Sequence, residues 1–204
     1  MTDKSDVIAA ACALVSTGEP ERARAIIRQD YPFDPRVATK RQMQPLPMTR
    51  AFVVDGFIDR YFGERLVFLP ALRLLSHVLG DAFPFHPNWK LDACHAAYYE
   101  LGATIDHIVP VTRGGDDTPL NWVTTSMLHN AIKAHWTLAD VGWELLPAGD
   151  FAVWDGMLPW FVSTIASQSG LLRTAYFRTW YRAALRVTDE WAMDREGVSG
   201  DHPV

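Results

Sequence analysis

Asp106 and His107 are neighbours in the chain, and Asn121, His129, Asn130 and Lys133 follow over the next 26 residues. An aspartate offers the hard oxygen that a divalent cation prefers. A histidine, with an unperturbed pKa near ~6.5, suits removal of a proton from water at neutral pH. Side by side they supply a metal ligand and a general base. Hydrolysis of a phosphate ester needs that combination: a water is deprotonated, the phosphoryl charge is stabilised and the leaving oxygen is neutralised. In a regular strand, however, adjacent side chains face opposite ways. Both residues can serve one site only if the strand twists or bulges here, which Pro110 and the following loop would allow.

The elements that must position these residues can be read around them. Residues 104–111 are a β-rich run stopped by Pro110, and Gly114-Gly115 makes a turn. A second apolar-aromatic segment begins at Asn121, and a helix follows with Thr124, Thr125 and Ser126 as candidate N-caps. The order is strand, loop, strand, helix. Asp-His-Ile-Val-Pro, then Gly-Gly, then Asn, then His-Asn-x-x-Lys resembles the HNH nucleases, whose compact ββα-metal site cuts phosphodiesters. The resemblance covers about thirty residues directly. It looks closest to stand-alone bacterial HNH endonucleases, which carry a similar Asn-Trp-Val-Thr-Thr-Ser run. The spacing is also similar to that of the HNH domain in the CRISPR RNA-guided nucleases.

The resemblance assigns roles. His107 is implied to be the general base and Asp106 a metal ligand. Asn121, 14 residues after His107, is implied to tie the loop between the strands and to orient the base. The second metal ligand lies on the helix. CRISPR-type spacing puts it nine residues past Asn121, at Asn130, whereas the family's name points to His129. With Met127, Leu128, Ala131 and Ile132 expected to face the core, the two candidates flank that stripe, and periodicity does not separate them. Asn130 is preferred, an H-N-N variant, with His129 the alternative. Lys133 and Arg113 are expected to touch nucleic acid, Lys133 through a phosphate oxygen. The implied activity is metal-dependent DNA cleavage, with Mg2+ the first candidate and Mn2+, Zn2+ or Ni2+ as alternatives, in a restriction or defence setting. An RNA-cleaving or toxin-type nuclease, and a nucleic-acid-binding module that does not cut, are the competing readings.

The whole chain sets bounds. Its 204 residues are 49% hydrophobic and 21% charged, the range of an ordinary globule. No apolar run reaches the roughly 18 residues of a membrane span. Cys12 and Cys94 are far apart and form no C-x-x-C knuckle, so a reducing, cytoplasmic setting is expected. The net charge of −5 argues against a strong nonspecific grip on nucleic acid, so DNA contacts require a local basic face.

The expected fold is α+β, a small ββα-metal element embedded among N- and C-terminal helices. Residues 1–50 read as a helical hairpin (5–17 and 20–29) with a Pro-rich connector over 31–49, residues 51–150 as the nuclease core, and 151–204 as a C-terminal helical region with a frayed tail. Residues 52–68 read as a β-hairpin turning at Asp55-Gly56 or Gly63-Glu64, with Arg60 and Arg65 as candidate phosphate contacts. A Phe/Tyr-rich cluster is expected to replace the cysteine knuckle of many HNH relatives. A short helix is expected over 70–79, and a helix through 94–101 leads into the motif. In the longest helix, 171–190, Arg173, Arg178, Arg182 and Arg186 share a broad face. Arg178 and Arg182 are the candidate DNA contacts there, against a merely solvated face. Aromatics over 154–161 and 176–181 read either as a homodimer surface or as core.

Overall fold

The computed structural model describes residues 3–33 and 43–199, with side chains up to residue 195. The chain divides into two compact units, residues 1–38 and 39–204. The first holds α1 (Lys4–Ser16) and α2 (Pro20–Asp30). Asp3 caps α1 by accepting from the Ser5 amide, and Pro20 opens α2 where a missing N–H costs nothing. Val7, Ala11 and Ala23 are its buried residues. Arg22 and Arg24 pair with Glu19 and Glu21 on the exposed side.

The second unit contains α3 (Pro45–Val54), a helix that replaces the end of the expected extended connector and the first residues of the expected 52–68 hairpin. Pro45 and Pro47 sit in its first turn and start the helix instead of preventing it. Part of the expected connector, residues 34–42, lies outside the described residues. The rest of the expected hairpin contracts to one bridge, Ile58 with Arg65. The aromatics of this stretch are core fillers: Phe52, Phe57 and Phe68 are buried together with Leu66. Gly56, at φ +59°, lies so close to Gly149 that an added Cβ would sit 2.5 Å from its carbonyl carbon. The chain turns there only with glycine.

Then come α4 (Leu69–Leu79) and the short α5 (Ala97–Glu100). β1 (Ala103–His107) pairs antiparallel with β2 (Trp122–Ser126), in a register running from Ala103 opposite Ser126 to His107 opposite Trp122. α6 (Met127–Lys133) follows β2 at once, with the Ser126 hydroxyl accepting from the His129 amide at 3.0 Å. After α7 (Leu138–Val141), α8 (Leu158–Ser167) and α9 (Ala175–Ser199) complete the unit. The fold is α+β. Among the described residues no helix is long and apolar enough to cross a membrane.

The core joins α3, α4, both strands, α8 and α9 through Phe52, Leu74, Ile105, Trp122, Phe161 and Phe177, with Phe57 and Phe68 between them. Burying such side chains contributes about 1.5–3 kcal/mol each, and this stiffens the platform under β1. The C-terminal helices therefore belong to the same unit as the ββα element. Their aromatics are committed to it: Phe161 is buried, Trp180 packs edge-on to Phe68, and Trp154 Nε1 donates to the Leu66 carbonyl at 2.6 Å. Trp154, Trp160, Tyr176, Trp180 and Tyr181 are half-buried against this core.

Candidate functional site

β1 alternates as a regular strand does. Ala103 and Ile105 point into the core, while Thr104 and Asp106 point at α6. His107 sits in register opposite Trp122, so the expected bulge is absent and Asp106 and His107 diverge. Asp106 is buried. Its Oδ2 accepts from the Tyr61 hydroxyl at 2.8 Å and from Lys133 Nζ at 2.8 Å. Lys133 Nζ also donates to the His107 carbonyl at 2.7 Å. No described residue donates to Asp106 Oδ1.

α6 lies with the opposite side inward from the one its apolar residues predict. Leu128 is 42% exposed and Ile132 54%, whereas Lys133 is 0% exposed. The helix covers the polar face of the two-stranded sheet, and its inward side chains are satisfied there by charge and hydrogen bonds, not by apolar contact. Lys133 is accordingly no phosphate-binding surface residue in this arrangement. Asn130 reaches across β1: its Nδ2 donates to the Ile105 carbonyl at 3.1 Å and to Thr104 Oγ1 at 3.3 Å. Its Oδ1 accepts from no described residue.

His129 takes a different partner. Its Nδ1 lies 2.8 Å from Asp59 Oδ2, and its ring stacks on Phe62 at 3.9 Å between centroids. Asp59 is fully buried and accepts from the amides of Tyr61, Phe62 and Ser126 and from Thr125 Oγ1. Burial opposes its ionisation. The hydrogen bonds from His129, Ser126 and Tyr61 outweigh it and hold the carboxyl below the ordinary aspartate value of 3.8. An ionised Asp59 keeps the proton on His129 Nδ1. Burial and the Asp106 charge push the Tyr61 phenol far up, so it stays a donor.

On the other side of β1, His107 Nε2 lies 2.8 Å from Asp117 Oδ1, which also accepts from Trp122 Nε1 at 3.0 Å. His107 is 1% exposed, and its Nδ1 is buried without a hydrogen-bond partner. Asn121 spans the intervening loop. Its Oδ1 accepts from the Val109 amide, and its Nδ2 donates to the carbonyls of Val109 and Asp116. Gly115 packs so tightly on the Val109 carbonyl that a side chain there would collide with it.

Comparison with protein-family models, with curated proteins and with solved structures returned no match.

The remaining expected contacts are scattered. Arg113 pairs with Asp140 at 3.3 Å and lies over the Trp136 ring. Arg60 is not free for phosphate: it pairs with Asp55 and donates to the Leu146 carbonyl at 2.7 Å. Arg65 lies over Trp154. On α9, Arg178 donates to the Leu172 carbonyl, Arg186 pairs with Glu190, and Arg182 is exposed without a partner among the described residues.

Sequence reasoning passed over Asp59, Tyr61 and Asp117. For Asp59 and Tyr61 a signal existed. In DGFIDRYF, two aspartates interrupt an apolar-aromatic run, and an acid there must be exposed or fully hydrogen-bonded. Asp117 had no such mark, because loop aspartates are ordinary.

Among the described residues no three His, Cys, Asp or Glu side chains form a ready metal cage. Asp106 carries a carboxylate and Asn130 an amide oxygen, and Asn130 is fastened to β1 through the Ile105 carbonyl. Mg2+ characteristically needs only one or two protein carboxylates, completing its shell with water and substrate phosphate. The donor types, one carboxylate and one amide oxygen, suit a hard divalent cation, while Asp106 Oδ2 is held by the Lys133 ammonium in this structure.

Proposed function

We propose that this chain is a metal-dependent endonuclease that hydrolyses DNA phosphodiesters with its ββα element. The observation that carries the reading is the convergence of strand and helix: Asn130 of α6 hydrogen-bonds the peptide that enters Asp106 of β1. Asp106 and Asn130 are the residues that would hold the metal. When bound, the metal supplies Lewis-acid stabilisation of the phosphoryl and leaving oxygens. His107 is the proton acceptor. Asp117 fixes its tautomer by accepting a hydrogen bond from Nε2–H, which leaves Nδ1, the orphaned nitrogen, with the lone pair. Asn121 holds the loop that leads to Asp117 and so keeps the base in register with β1.

Because the unbulged strand sends Asp106 and His107 apart and His107 is 1% exposed, this reading requires substrate binding to rearrange the 107–117 segment until His107 Nδ1 meets water beside Asp106. DNA approaches through local charge, with Arg182 and Arg178 as phosphate contacts in an otherwise acidic chain. The test is a supercoiled-plasmid assay with Mg2+, Mn2+ or EDTA, with structured RNA in parallel. Nicking that needs metal and is lost in both Asp106→Asn and His107→Ala is expected. RNA cleavage without plasmid nicking would transfer the activity to RNA. Inertness on both substrates with every metal would leave a binding module.

A further inference from the structure

Lys133 is fully buried, and its ammonium is satisfied by Asp106 Oδ2 at 2.8 Å and the His107 carbonyl at 2.7 Å, with the Tyr61 ring 5.8 Å away. A buried ammonium persists only with such compensation. Tyr61 adds a neutral donor to the same carboxylate oxygen. The position is therefore complete as an ion pair: one anion, one cation, and hydrogen bonds on each. A divalent cation on Asp106 would place a second positive charge on that carboxylate, away from bulk water, where like charges repel strongly.

The surroundings give the ammonium a way out. Lys133 is the last residue of α6, and Ala131, Ile132 and Ala134 around it are exposed. Its four-carbon stem is flexible enough to carry the charge from under the helix to its edge. Ala134 directly follows at φ +50° and ψ −112°, a conformation costly for a residue with a Cβ. The helix end is thus held in a strained turn while Lys133 is tucked inward.

We propose that Lys133 is an internal counter-ion that closes the Asp106 carboxylate to divalent cations, the metal-ready site being the one whose Lys133 side chain has swung out past α6. The proposal rests on reading Asp106 as a metal ligand. Mn2+ titration of the full chain by calorimetry tests it, comparing the parent with Lys133→Met and Lys133→Gln. Both variants should bind Mn2+ at least tenfold more tightly than the parent, and Asp106→Asn in the Lys133→Met background should abolish the gain. Parental affinity in variants that keep the parental circular dichroism overturns the proposal, as does a gain that survives Asp106→Asn. A second measurement uses the parent alone and does not depend on the variants folding. Acetylation read by mass spectrometry should leave Lys133 protected without metal and modified at millimolar Mn2+, with exposed Lys90 reacting equally in both. Protection that Mn2+ does not change overturns the counter-ion. The nuclease reading fails separately: Mn2+ binding gained at Asp106 with no plasmid nicking sinks that reading and leaves the counter-ion standing. Metal-dependent nicking with parental Mn2+ affinity in both variants does the reverse.

Discussion

Asp59→Asn removes one charge and replaces one acceptor oxygen by an amide nitrogen in a site without solvent. Asp59 Oδ1 accepts from the Tyr61 and Phe62 amides, and Oδ2 from the Ser126 amide, Thr125 Oγ1 and His129 Nδ1. An asparagine can turn its oxygen toward one set only. The less costly choice keeps Oδ2's partners and points NH2 at the Tyr61 and Phe62 amides, leaving those two donors without an acceptor. At about 1–3 kcal/mol for each unsatisfied buried group, partly relieved by movement of the 60–63 turn, the loss is roughly 2–4 kcal/mol. Urea denaturation followed by circular dichroism at pH 7 measures it. The sign of the pH dependence is fixed by the depressed carboxyl. The wild-type advantage is fully present above about pH 4, near the ordinary value, and is lost as pH falls through the folded-state value below 3.8. The gap between parent and variant should therefore narrow only in strong acid. A variant within about 0.5 kcal/mol of the parent at pH 7, the scale of an ordinary surface substitution, would refute the claim that Asp59 fastens the 59–62 turn to β2 and α6.

His107→Ala should lower plasmid cleavage about 10²–10⁴-fold, the usual contribution of a general base, with Mn2+ affinity near parental; single-turnover kinetics beside calorimetry check this, and parental turnover removes His107 from the mechanism. Asn121→Ala strips the loop of its Val109 and Asp116 bonds and should cost about 1–3 kcal/mol. Hydrogen exchange should quicken over residues 109–116, and an unchanged profile would show that the loop is held elsewhere. Arg178→Ala with Arg182→Ala should weaken all DNA sequences alike and flatten the log Kd against log salt slope by roughly 0.9 per lost phosphate contact; a parental slope makes the face a merely solvated one.

Local signals were enough for the order of the ββα element. Pro110 and the Gly114-Gly115 turn break the chain between two β-branched runs, and Ser126 caps the helix that follows. These features act within a few residues, so the sequence carries them openly. The N-terminal hairpin was legible for the same reason, with Gly18-Glu19-Pro20 as its break. The 52–68 stretch was not: its aromatics and β-branched residues suit a strand locally, yet they fill a core whose other half comes from residues far along the chain, Phe161 and Phe177 among them.

What each motif residue touches was decided by tertiary structure alone. The apolar stripe of α6 predicts which side is buried if the surface beneath is apolar. Here that surface is the polar face of β1 and β2 together with the 59–61 turn, so His129, Asn130 and Lys133 go inward while Leu128 and Ile132 meet solvent. Periodicity records the preference of one helix, not the chemistry of the partner it meets. In the same way the sequence places Asp106 beside His107, but the alternation of an unbulged strand sends one to Lys133 and Tyr61 and the other to Asp117. Burial of a charge depends on a counter-charge brought from elsewhere in the chain, and no local pattern encodes that meeting.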